Sequence, residues 1–240
     1  MTTRIFASAL FAGLLAGLVA VLLQWSLMEK LILEGEEYET GAKSHFAGVL
    51  KLNEDGETAE QAAESGDGGE EEGTTRRFAL AFFATFVTWV GWALLMVAGF
   101  ALTERYGVRI TMKDALVWGT AGFGAIHVMT GIGLPPELPG QPAAEIELRQ
   151  MWWITTAATA VIGFALMGYG RKPFHFAAGI ALLIAPHLIG APRLDDYSGM
   201  APPELSGEYV ARSYAVAFIS WIVLGLAAGY FWNRLQQPPA

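Results

Sequence analysis

Long apolar runs separated by short polar connections dominate the chain. Six can be read: Ile5 to Leu27, Phe78 to Leu102, Ala115 to Leu134, Met151 to Gly170, Phe174 to Ala191 and Ala211 to Trp232. Each is close to the ~20 residues that an α-helix needs to cross the hydrocarbon core of a bilayer. The runs are continuous rather than alternating, so they read as helices and not as strands of a closed barrel. The pattern predicts an all-α integral membrane protein, a single transmembrane domain over residues 1–240 with six transmembrane helices. The fifth run is the shortest and holds two His and a Pro, so a count of five stays open.

An internal repeat adds order to these runs. The stretch HVMTGIGLPPELPGQPAAEIELR, His127 to Arg149, is followed sixty residues later by HLIGAPRLDDYSGMAPPELSGEYVAR, His187 to Arg212. Both have a His near the end of one run, a Pro-Pro-Glu-Leu-x-Gly turn, and a Glu four residues before the Arg that opens the next run. A fainter third copy places Gln24 ten residues before Glu34, as His127 stands before Glu137, and Glu72 four before Arg76. Gly91, Gly163 and Gly225 then follow the three Arg residues at similar distances. The copies, about 5–102, 115–170 and 174–232, each read as an outgoing helix, an acidic loop and a returning helix. A two-helix unit preserves orientation, so three parallel copies about a pseudo-threefold axis are expected.

Charge supplies the orientation. With the amino terminus inside, the inner loops hold Arg4, Arg105, Arg109, Lys113, Arg171, Lys172 and Arg234 against only Glu104 and Asp114. That leaves 8 basic and 21 acidic residues outside. The positive-inside rule therefore puts both termini in the cytoplasm and the chain in the cytoplasmic membrane as a multi-pass protein. Overall the chain is 53% hydrophobic and 16% charged, with net charge −8 and mean hydropathy +0.39. So acidic an outer face gathers cations and excludes nucleic acid as a partner. There is no cysteine, which removes disulfides and thiolate metal sites.

Local features refine the picture. The first run is too long for a signal core and is read as a mature helix, with Ala12, Gly13, Ala16 and Gly17 suited to close helix approach. The outer loop begins at Met28, with Glu34, Glu36, Glu37 and Glu39 crowded together. Residues 41–75 are acidic, Gly-rich and poor in large apolar side chains, and are expected to be disordered. A solvating tail and a weak cation-collecting antenna both fit that stretch, and its lone His45 adds little to chelation. Asp114 is placed to cap the third helix, and Pro186 should distort the fifth just before His187. Trp152 and Trp153, and the group Tyr230, Trp232 and Arg234, read as interfacial anchors, and His175 as an interfacial residue.

Candidate chemistry centres on the repeat. Ionisable groups within spans are costly and by default mark ion pathways. His127 and His187 occupy equivalent places near the outer mouth, with Glu137 and Glu204 above them, Gln24 as the polar equivalent in the first copy and Met129 as a soft auxiliary. This set reads as an entry site for a divalent metal cation; the competing reading is that each His hydrogen-bonds a neighbouring helix. The two PPEL turns likewise fit either a cation role for their Glu or a purely conformational one. Glu72 with Arg76, Glu145 with Arg149 and Glu208 with Arg212 read as i,i+4 surface pairs, or as a charged ring if the threefold holds.

Four stretches in order, LILEGEEYE after the first run, GLPPELPG at Gly133 to Gly140, ELRQMWW at Glu147 to Trp153 and PHLIGAP at Pro186 to Pro192, resemble the CbtA family of proposed cobalt transporter subunits. The resemblance covers nearly the whole chain outside the loop from about Gly41 to Thr75. It implies a permease-like subunit for Co²⁺, connected with cobalamin supply, working with a small single-span partner of the CbtB type that bears a His-rich terminus. The family is commonly described with five spans and often with a His-rich first outer loop, where this chain has Asp and Glu. Imidazole and carboxylate ligands equally accept Ni²⁺ or Zn²⁺. The cation is cargo, and no permanently bound cofactor is expected.

Three function classes follow. A divalent-cation transporter comes first. An intramembrane enzyme lacks HExxH, GxSxG or Cys, so no catalytic residue is assigned. A scaffold subunit for a partner metal transporter is the alternative. GxxxxGK[ST] is absent, so coupling to ATP would come from another chain.

Overall fold

The computed structural model describes residues 1–44, 70–195 and 199–236, with side chains in the second stretch described from 76 onward. Among these residues there are seven helices and no strand. They are α1 (Thr2–Leu27), α2 (Glu29–Glu39), α3 (Glu70–Arg105), α4 (Met112–Phe123), α5 (Ile146–Tyr169), α6 (Pro173–Ile189) and α7 (Pro203–Arg234). The α4 rod continues through a π-helical segment, Gly124–Val128, and a last α turn, Met129–Gly131.

The burial pattern is that of a membrane protein. On α1 the buried face is made of Ser8, Ala9, Ala12, Gly13, Ala16 and Gly17, while Phe6, Leu10, Leu14, Leu18 and Leu22 point outward. Small residues inside and large apolar ones outside suit a lipid surround, where helices associate by close packing rather than by hiding apolar surface from water. Four helices are long and apolar enough to cross a bilayer: α1, α3 from Arg76, α5 and α7. The other two expected spans are shorter. The Gly-rich third run is divided by the π-helical segment, and the fifth yields a helix of 17 residues that ends before Gly190.

Neighbouring helices follow the order α3, α1, α7, α4, α5, α6. Two crossings in this series depend on glycine. Between α4 and α7, a methyl group at Gly225 would lie 2.6 Å from the Ala115 carbonyl oxygen, and one at Gly119 would lie 2.6 Å from that of Trp221. Between α5 and α6, a methyl at Gly179 would lie 2.7 Å from the Gly163 carbonyl oxygen. Gly119 and Gly179 stand eight residues before His127 and His187, and Gly163 and Gly225 hold the matching places on the returning helices. Each outgoing helix of the two PPEL-bearing stretches therefore packs on the returning helix of the other. This is a pairwise exchange and differs from the expected three equal pairs about a threefold axis. In the first stretch α1 packs on its own returning helix, where a methyl at Gly13 would lie 2.5 Å from Val90 Cα, and nothing approaches Gly91.

Outside the spans the expected loop from Met28 begins as a helix, α2. Its Leu31 joins Leu138, Ala201 and Leu205 in a small apolar cluster flanked by Tyr38 and Tyr209. Of the acidic stretch 41–75, residues 45–69, with His45, lie outside the described residues, and 70–75 form the first turns of α3. Asp114 takes its expected capping place: it accepts from the Thr111 N–H at 2.8 Å and the Thr111 hydroxyl at 2.7 Å, and its own N–H donates to Thr111 Oγ1. Those bonds, the hydroxyl's foremost, hold the Asp114 carboxyl below its ordinary pKa.

Candidate functional site

His127 lies in the π-helical segment of the α4 rod, on the side facing α7. Its ring stacks on Phe123 at 5.9 Å and meets the edge of Trp221 at 6.3 Å. Trp221 is 3% exposed and also packs against Trp89 and Trp92. Its indole Nε1 is buried without a hydrogen-bond partner among the described residues. His187 lies one residue after Pro186 in α6 and meets Trp152 of α5 at 5.7 Å, again edge to face. Here the buried nitrogen without a partner is the imidazole Nε2.

The two histidines thus occupy matching crossings, each against a Trp of the returning helix from the other stretch. The carbonyl just before each His also receives a side-chain donor. Thr130 Oγ1 donates to Ile126 O at 2.6 Å, and Trp152 Nε1 donates to Pro186 O at 3.2 Å. The expected single entry site is not assembled, however. His127 faces α7 while His187 faces α5, and among the described residues no three His, Cys, Asp or Glu come close enough to hold one metal ion.

The other candidates are dispersed. Glu137 pairs with Arg149 at 2.5 Å. Glu204 is exposed in the first turn of α7. Gln24 is exposed and accepts from Thr85 at 3.4 Å. Met129 is half-buried against the main core. Only the first PPEL stretch is a turn, for the second opens α7 at Pro203, yet in both it is the Leu that is buried, Leu138 at 3% exposure and Leu205 at 9%.

The charge pairs divide three ways. Glu208 binds Arg212 as the i,i+4 spacing predicts, and Arg212 Nη1 also donates to Leu27 O at 2.6 Å, closing the end of α1. Arg149 takes Glu137 in place of Glu145, because α5 starts at Ile146 and Glu145 precedes it in extended conformation, ψ 132°. Glu72 has its side chain outside the described residues.

Two residues read as interfacial anchors prove to be interior, and a partly buried Arg packs against one of them. Trp152 is 8% exposed and Trp232 is fully buried, so neither is an interfacial anchor. Arg4 lies 3.3 Å over the Trp232 ring, donates to Trp232 O, and pairs with Glu104 at 3.5 Å. Glu104 also accepts from Trp232 Nε1 at 2.9 Å and from Gln236 Nε2 at 2.9 and 3.0 Å. This knot ties the ends of α1, α3 and α7. Its sequence signal was the scarcity of acids in the inner loops, where Asp114 is used for capping and only Glu104 remains.

At the opposite end a cavity of about 410 Å³ opens between the first PPEL turn and the segment after α6. Pro135, Glu137, Pro142, Arg149, Pro192 and Arg193 are among the residues that line it.

Comparison with known proteins supplies the family. No curated protein and no solved structure matches the chain. One family model, described as "Probable cobalt transporter subunit (CbtA)", matches residues 2–233, nearly the full length. With its buried small-residue faces and apolar spans, the chain is a membrane protein belonging to the CbtA family of probable cobalt transporter subunits.

Proposed function

We propose that this chain is a permease-like subunit that moves Co²⁺ across the cytoplasmic membrane, linked to cobalamin supply, with both termini inside. The observation that carries the reading is the pair of imidazoles at matching helix crossings, one with a buried nitrogen that has no partner among the described residues. A buried polar nitrogen left unbonded is costly, and a neutral imidazole is a common metal ligand. In this proposal His127 and His187 are two separate stations on the path, with Glu137 and Glu204 on the outer approach and Gln24 and Met129 as auxiliaries. Ni²⁺ and Zn²⁺ remain chemically acceptable cargo, and a small His-rich subunit of the CbtB type would deliver the ion.

The alternative is a scaffold subunit that holds a partner transporter in the membrane. It is favoured by the separation of imidazoles from carboxylates and by the engagement of Glu137 with Arg149. Uptake of radioactive ⁵⁷Co²⁺ by vesicles with and without the chain decides between them. The permease reading expects chain-dependent uptake, competed by Ni²⁺ and lowered about tenfold or more by His127→Ala with His187→Ala at equal membrane abundance. Uptake indifferent to both substitutions, or dependent only on the partner, favours the scaffold.

A further inference from the structure

We propose that the cavity between the first PPEL turn and the segment after α6 binds a polycarboxylate chelate of the divalent cation, and that Glu137 takes the metal when the chelator's carboxylate takes Arg149. The proposal rests on the transport reading for its cargo. Its geometry is independent of that reading.

The charge of the cavity is opposite to that of its surroundings. In the orientation proposed above, acids outnumber bases on this side by 21 to 8, yet among the described residues the cavity is lined by two guanidiniums, Arg149 and Arg193, and a single carboxylate, Glu137. That carboxylate is already engaged by Arg149 at 2.5 Å. A bare cation entering would meet a neutralised Glu137 and a repelling Arg193. An anionic chelate would instead find a guanidinium fork suited to carboxylate, the geometry in which such bonds are strongest.

Shape and position agree with this. A volume of about 410 Å³ is in the range of small-molecule sites. Walls containing Pro135, Pro142 and Pro192 are stiff, so little ordering is needed on binding. The floor also leads toward a proposed station. Gly133 lines the cavity and lies against Trp152 and Ala191, where a methyl group would meet Ala191 Cβ at 2.7 Å. Trp152 in turn packs on His187. The exchange replaces one guanidinium–carboxylate pair by another and turns Glu137 into a free oxygen ligand, with no proton or electron to account for.

The test is titration of the purified full-length chain in nanodiscs, followed by calorimetry and by the tryptophan emission to which Trp152 contributes. The probes are Co²⁺–citrate, citrate alone, inorganic phosphate and Co²⁺ alone. Saturable binding of Co²⁺–citrate is expected, weakened about tenfold by Arg193→Gln and further by Arg149→Gln. Glu137→Gln should bind free citrate more tightly, because Arg149 is released, and should lose the preference for Co²⁺–citrate over citrate. Arg193 is exposed, so its variant stays informative if Arg149→Gln fails to fold.

Binding of Co²⁺ alone as tight as the chelate and indifferent to both Arg substitutions overturns the proposal. Phosphate binding equal to citrate overturns the carboxylate assignment. The two readings also fail separately. ⁵⁷Co²⁺ uptake that ignores citrate and Arg193→Gln removes the chelate site and leaves transport standing. Chelate binding without any uptake does the reverse.

Discussion

The α4·α7 and α5·α6 crossings share matching glycines and histidines but draw their tryptophans from different places, Trp152 three residues after Arg149 and Trp221 nine after Arg212. Both use a glycine pair for close approach and set a His against a Trp. In α4 the residue before the His is Ile126, and the rod stays continuous by passing through a π-helical segment. In α6 it is Pro186, which has no N–H to donate to the Leu182 carbonyl. The polar groups of the two crossings also differ. At α5·α6 the Trp152 N–H reaches the Pro186 carbonyl, and the imidazole Nε2 has no partner among the described residues. At α4·α7 the Thr130 hydroxyl takes the equivalent carbonyl, and it is the Trp221 N–H that has no partner among the described residues.

The largest test of the comparison is steric. Gly225→Ala puts a methyl group 2.6 Å from the Ala115 carbonyl oxygen in the centre of the helix array and should cost about 3 kcal/mol. Gly179→Ala meets a similar carbonyl at the array's edge, where α6 has α5 as its main neighbour and can move, and should cost about 1 kcal/mol. Unfolding midpoints in detergent read both. Equal costs would mean that α6 is held as firmly as α4.

A middle-sized test removes the indole N–H and keeps a ring. Trp152→Phe loses a bond to Pro186 O and should destabilise by about 1 kcal/mol beyond the loss of ring area common to both variants. Trp221→Phe loses no bond and lifts the burden of an unbonded donor, so its net cost should be the smaller of the two. The opposite order would show that Trp221 has a bonded partner in the membrane.

The smallest effects lie at the helix starts. Asp114→Ala removes the carboxylate half of the box that caps α4 and leaves the Thr111 hydroxyl as the remaining cap, at about 1 kcal/mol. His175→Ala removes only the acceptor of the Lys172 N–H at 3.2 Å and should cost less. The Asp114 contribution also carries a sign with pH. Its folded-state pKa is depressed, so the stabilisation is complete above the ordinary carboxylate range and is lost as pH falls through the lowered value. Acid titration of the unfolding midpoint should show that loss in the parent chain and not in Asp114→Ala.

Much of this was legible in the sequence because apolar length and turn chemistry are local. The runs marked the helices, Asp114 marked the start of α4, and the PPEL match marked two segments whose leucines share one apolar cluster, although only the first is a turn and the second opens α7. Partner choice was not legible: Gly119 and Gly163 announce close approach but not which helix approaches. Trp152 and Trp232 were misplaced because an aromatic near a span end looks the same whether its polar atom meets a headgroup, the Pro186 carbonyl or the Glu104 carboxylate. Glu145 was misassigned because i,i+4 pairing presumes one continuous helix, and α5 begins a residue too late. Leu31 was read within an acidic loop because four nearby Glu hid a short amphipathic helix.

The knot around Glu104 also has a consequence for how the protein is made. Arg4 and Trp232 are 228 positions apart, so α1 carries a guanidinium whose ring and carbonyl partners are synthesised 228 residues after it. Chains emerge from the ribosome amino terminus first. Until α7 is made, Arg4 and Glu104 wait without their shared partners, and a chain halted before Trp232 keeps α1 and α3 without their clasp. The order of synthesis thus leaves this junction to close only after α7 has been made.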